Sequence, residues 1–156
     1  MLTAPPLPSP GAKQSGVALL EALVAILIFS IGLLGLVSLQ ARAIATTSDA
    51  KYRSDAAFLA NKIIGVMWGD KANLPAYSSG GGAGNICDAG AISANPNVIA
   101  WLNEVSAALP GAATNRQRIV VDAASGQVSI AICWLTSPNA TSYHKHEVSA
   151  RIQDNS

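Results

Sequence analysis

Residues 17–39 read VALLEALVAILIFSIGLLGLVSL, an apolar run interrupted only by Glu21, Ser30, Gly32, Gly35 and Ser38. At ~1.5 Å of rise per residue, a helix over this run is roughly 35 Å long, enough to cross the hydrocarbon core of a bilayer. A carboxylate inside such a segment costs about 2.5–3.5 kcal/mol on insertion scales. Glu21 therefore needs either a place at the interface, reached by its flexible stem, or a partner of opposite charge.

The residues upstream, MLTAPPLPSPGAKQSG, carry Lys13 as their only charged side chain, and Pro5, Pro6, Pro8 and Pro10 exclude a helix there. The apolar run begins directly after Gly16. That order reverses an ordinary secretory signal, in which the apolar region leaves with the leader. The pattern Gly16-Val17-Ala18-Leu19-Leu20-Glu21 resembles the processing site of type IV pilins and the related pseudopilins. The resemblance implies that a prepilin peptidase cuts between Gly16 and Val17, that the new amino terminus on Val17 is methylated, and that the apolar helix stays on the mature protein. It also implies that Glu21 meets the amino terminus of a neighbouring subunit. A buried carboxylate is tolerated when an opposite charge lies within hydrogen-bonding reach, and a free α-amino group is such a charge. Val17 stands where the family more often has phenylalanine, and Ser15 where a basic residue commonly precedes the glycine.

The whole chain has 156 residues, of which 12% are charged, and a mean hydropathy of +0.33. Beyond residue 39 there is enough sequence for one small domain and not for two. The formal net charge is +1, with Lys and Arg scattered, so no electrostatic footprint for nucleic acid is indicated.

Tyr52, Ala56, Leu59, Ile63 and Val66 recur at helical spacing, with charged residues between them. One helix is predicted over 17–68, apolar all round at first and amphipathic afterwards, stopping at Gly69 ahead of Asp70 and Pro75. Residues 73–95 read as irregular. The glycines within 78–84 lack the Lys-Ser or Lys-Thr pair of a phosphate loop and read as surface. Asn95 and Pro96 cap a short helix whose apolar face is Val98, Trp101, Leu102, Val105 and Leu109. Residues 118–122 and 127–134 alternate about a turn at 123–126, and a third strand over 143–152 follows the turn at Ser137-Pro138-Asn139.

The expected fold class is α+β, with a leader at 1–16, a membrane or filament-core half-helix at 17–39, an amphipathic half at 40–69 and a globular head at 70–156. This order of elements is similar to the type IV pilin fold. Within it the resemblance is closest to the minor pilin group called type IV pilus modification protein PilV. It rests on GVALLEALVAILIFSIGLLGLVSLQ, with support from residues 52–61, Trp101, Leu109-Pro110-Gly111 and Cys133-Trp134. A minor pilin is implied, held in the inner membrane by a single pass with a periplasmic head and then moved into the pilus. The implied partners are prepilin peptidase, other major and minor pilins, and the inner-membrane assembly platform. A minor pseudopilin of type II secretion shares the same motif and helix. A membrane-anchored periplasmic enzyme or binding protein is the reading from a different class.

Cys87 and Cys133 fall in the part that would face the periplasm, where a disulfide is expected and is worth roughly 4 kcal/mol by loop entropy; a pair of buried free thiols is the other reading. His144 and His146 share one side of a strand, but two ligands do not close a metal site. Ser48 and Lys51 have the Ser-x-x-Lys spacing of some acyl-transfer enzymes without its companion motifs, and read as helix surface. No catalytic, cofactor-binding or metal-ligating residue is predicted.

Overall fold

The computed structural model describes residues 15–80, 84–137 and 140–152. The expected leader lies almost wholly outside the described residues, as do residues 81–83 of the glycine-rich stretch and Pro138 and Asn139 of the last turn. The chain divides into two compact units, Met1–Ala45 and Thr46–Ser156, and helix α1 (Ser15–Gly69) contributes to both.

In the first unit α1 has no apolar face because it is apolar on every side. Val17, Leu19, Leu20, Leu23, Ile26, Phe29, Leu34 and Leu39 are all exposed, Leu34 by 71%. A helix that is hydrophobic all round and left uncovered by the other described residues is built for an apolar surrounding. The Ser30 hydroxyl satisfies itself by donating to the Ile26 carbonyl one turn back, at 2.7 Å.

In the second unit α1 becomes one wall of a core. Ala56, Leu59, Ala60, Ile63 and Met67 are buried, with Tyr52 and Ile64 packed at the margin. The expected Val66 is instead 37% exposed, and Met67 takes its place. The reason is the helical pitch. At about 100° per residue, position 67 returns to within about 20° of Ala56, whereas position 66 lies about 80° away.

Residues 71–77, partly assigned to irregular chain from the sequence, form a 3-10 helix, Lys71–Tyr77, whose Leu74 and Tyr77 are buried. Pro75 signalled a break, but a short 3-10 segment has few internal N–H bonds for a proline to remove. Tyr77 anchors the segment by donating to Asp70 Oδ2 (2.9 Å) and accepting from Asn97 Nδ2 (2.8 Å). Burial pushes its phenol above the usual range, with the Asn97 hydrogen bond opposing and Asp70 reinforcing that shift.

Helix α2 (Pro96–Ala108) starts as its cap predicts, with the Asn95 side chain accepting from Asn97 N at 2.9 Å. Val98, Trp101, Leu102 and Val105 are buried. Trp101 Nε1 donates to the Leu59 carbonyl at 2.9 Å, and Lys62 Nζ holds Glu104 at 2.6 Å, so α2 is fastened to α1 by a buried bond and an exposed one.

The sheet is three-stranded, antiparallel and in the order β1 (Arg118–Asp122), β2 (Gln127–Trp134), β3 (His144–Arg151). In register, Ile119, Ile130 and Val148 form one row and Val121, Val128 and Ala150 another, and these rows face the helices. Gly126 makes the β1–β2 turn at φ 66°, a conformation that costs glycine nothing. Asp122 organises the same turn, accepting from Ser125 Oγ (2.6 Å) and from Ala124 N (3.0 Å). A long apolar N-terminal helix with a small antiparallel sheet is the predicted α+β pilin-like arrangement.

Candidate processing and assembly site

Gly16 lies in the first turn of α1 among the described residues, and a Cβ added there would meet nothing within 4 Å. Val17 is 62% exposed, and Glu21 is exposed with no hydrogen bond or ion pair among the described residues. Val17 and Glu21 are four residues apart and so share a face of the helix, about 6 Å apart along its axis. That face is otherwise apolar. The acid thus stands one turn beyond the Gly16–Val17 bond with no partner of opposite charge among the described residues.

Residues 11–37 match the family model described as the prokaryotic N-terminal methylation motif. The chain carries this motif. The motif supports a type IV pilin-like or pseudopilin precursor and implies processing by prepilin peptidase and assembly with other pilins. The helix that bears it is long and apolar enough to cross a membrane, with a hydropathy of 2.7 over its best window, none of which is buried. No curated protein and no solved structure was found to match the chain.

The two cysteines are joined. Cys87 and Cys133 form a disulfide with Cα atoms 5.8 Å apart, closing 46 residues of sequence. Arg116 reinforces the closure by donating from Nη1 to the Cys87 carbonyl at 2.9 Å while its guanidinium lies 4.9 Å from the centre of the Tyr143 ring.

His144 and His146 are both half-buried on one side of β3. His144 Nδ1 is 3.7 Å from Asp49 Oδ1, and its ring lies 5.9 Å from that of Trp134. The Asp49 neighbour was invisible in the sequence because it comes from α1, far along the chain. Among the described residues no group of three or more His, Cys, Asp or Glu side chains is gathered to hold a metal ion. Lys51 pairs with Asp55 at 3.6 Å on the helix surface, an arrangement that gives Ser48 no base.

Proposed function

We propose that the protein is a minor pilin of the type IV pilus. Prepilin peptidase removes residues 1–16 by cutting between Gly16 and Val17, and Val17 is then methylated. Residues 17–39 hold the protein in the inner membrane by a single pass and later pack in the filament core. Residues 40–69 carry the amphipathic half-helix and 70–156 the periplasmic head. The partners are other major and minor pilins and the inner-membrane assembly platform. Among minor pilins the group called type IV pilus modification protein PilV fits best, on the sequence resemblance of its N-terminal helix and of the Trp101 and Cys133-Trp134 regions. Nucleation, modification of the filament or adhesion is the work such a subunit does.

The observation that carries this reading is the methylation motif on a helix whose apolar side chains are exposed in every direction. Such a surface is stable in lipid before assembly and among like helices afterwards.

Mass spectrometry of the cellular protein tests it. The expected mature chain begins at N-methylated Val17, and a chain that begins elsewhere overturns the proposal. A deletion strain then separates pilus from pseudopilus: the minor-pilin reading expects fewer surface pili with exoprotein secretion unchanged.

A further inference from the structure

On the face of the sheet turned away from the helices, Arg118, Ala131 and Glu147 stand side by side in register across β1, β2 and β3. Adjacent strands are about 4.8 Å apart, so a cation and an anion are spaced about 10 Å across a floor made by one methyl group. The result is a cavity of about 290 Å³, with Ile86 at its lip and Ser129 and Ser149 along its side. The two serine hydroxyls share a hydrogen bond of 3.2 Å.

The charges in this cavity are unevenly satisfied. Glu147 holds Lys145 at 2.6 Å. The Arg118 guanidinium has no hydrogen bond or ion pair among the described residues, and its Nε is buried without a partner. A desolvated donor left unmade costs about 1–3 kcal/mol, more when charged, and that cost is recovered when an acceptor arrives. The planar fork of a guanidinium is matched by a carboxylate, which takes two parallel N–H bonds at once.

We propose that this cavity is a binding site for an acidic monosaccharide, a uronate, with Arg118 taking its carboxylate. Ser129 and Ser149 can each donate and accept, and the remaining acceptor capacity of Glu147 faces ring hydroxyls. Ile86 covers the apolar C–H side. An acidic peptide fits less well. Peptides that join a sheet do so through main-chain hydrogen bonds at an edge, whereas this cavity lies on the face of the sheet, centred on β2, which is paired along both sides. The cavity is also at the small end of ligand sites, suited to one ring rather than an extended chain. The inference rests on the head alone and stands whether or not the protein enters a filament.

The test is a titration of the full-length protein in detergent micelles with sodium glucuronate, followed by amide chemical shifts. The expected result is saturable shifts centred on Arg118, Ala131 and Ser149, with none from glucose and weaker ones from glutarate. Arg118→Gln weakens binding about tenfold or more, the loss of a charge-assisted hydrogen bond, while the melting temperature holds. Arg118→Lys, which keeps the charge and loses the fork, and Ser149→Ala, which loses one hydroxyl, each weaken binding by a smaller factor. Arg53→Gln, outside the cavity, changes nothing. The proposal is overturned by the absence of shifts, by full binding in Arg118→Gln, or by glutarate or a glutamyl peptide binding as well as glucuronate.

Discussion

Gln117 completes the sheet for Cys133. Its fully buried side-chain amide accepts from Cys133 N at 2.8 Å and donates to the Cys133 carbonyl at 3.0 Å. The pairing of β1 with β2 runs out at Arg118 and Ala131; continued, that register would set residue 116 opposite Cys133, and the Gln117 amide makes the two bonds that residue's backbone would have made. The same Nε2 also donates to the Ala113 carbonyl at 3.0 Å. Gln117→Leu is expected to strand a buried N–H and a buried carbonyl and to cost about 2–4 kcal/mol. Gln117→Glu keeps the acceptor but faces two carbonyls with a carboxylate, so at neutral pH it should be at least as damaging. Denaturant midpoints of the two variants against wild type check the order.

The disulfide adjoins this contact. The double variant Cys87→Ser/Cys133→Ser is expected to lose about 2–4 kcal/mol, because the open chain regains the loop entropy that the bridge removes. Unfolding of the wild type with and without reductant provides a second measure of the same quantity.

Trp101→Phe isolates one bond between the helices. An aromatic ring stays in the core, though a smaller one, while the donor to the Leu59 carbonyl is lost. That carbonyl sits inside a helix and keeps its intrahelical partner, so the expected cost is about 0.5–1.5 kcal/mol rather than the full penalty of an orphaned group. Equilibrium unfolding resolves a difference of this size.

The turn acid gives a pH signature. Hydrogen bonds from the Ser125 hydroxyl and from the Ala124 and Ser125 amides hold the Asp122 carboxyl below the usual carboxylate range. A carboxyl depressed in the folded state adds stability that is fully present above its unfolded value and is lost as pH falls through the folded one. Acid melting curves of wild type should therefore fall more steeply than those of Asp122→Asn, and identical slopes would remove the turn from the account of acid sensitivity.

Glu21→Ala tests the pairing proposed for assembly. The variant should insert into the inner membrane as well as wild type, since it removes a charge that insertion disfavours. Its recovery in sheared filaments should drop well below wild type. Normal recovery would leave Glu21 without the proposed role.

Much of this architecture was legible because local pattern and final environment agree. The alternation of 127–134, the Asn95-Pro96 start and the apolar run after Gly16 each specify an element with little help from distant residues. The misses share a cause. Met67 and Val66 are both apolar and both follow Ile63 at a helical spacing, and only the pitch carried over three turns from the buried Ala56 puts Met67 on the core line. Leu74 and Tyr77 enter the core through a 3-10 segment too short to announce itself by period. Asp49 beside His144, Gln117 against Cys133 and the buried Arg118 Nε without a partner among the described residues are products of tertiary packing, and no spacing in the sequence encodes them.

The all-round exposure of residues 17–39 also bears on how the helix chooses an azimuth. Rotating a uniformly greasy cylinder about its own axis in lipid leaves the transfer free energy nearly unchanged, so the large side chains carry almost no information about which way it should face. Counting about 100° per residue from Glu21, Val17 and Gly35 fall within about 40° and Gly32 within about 20°, whereas Ser30 lies diametrically opposite. The acid and the two gaps in side-chain bulk thus mark a single meridian, and it is along this line that the symmetry of the cylinder is broken.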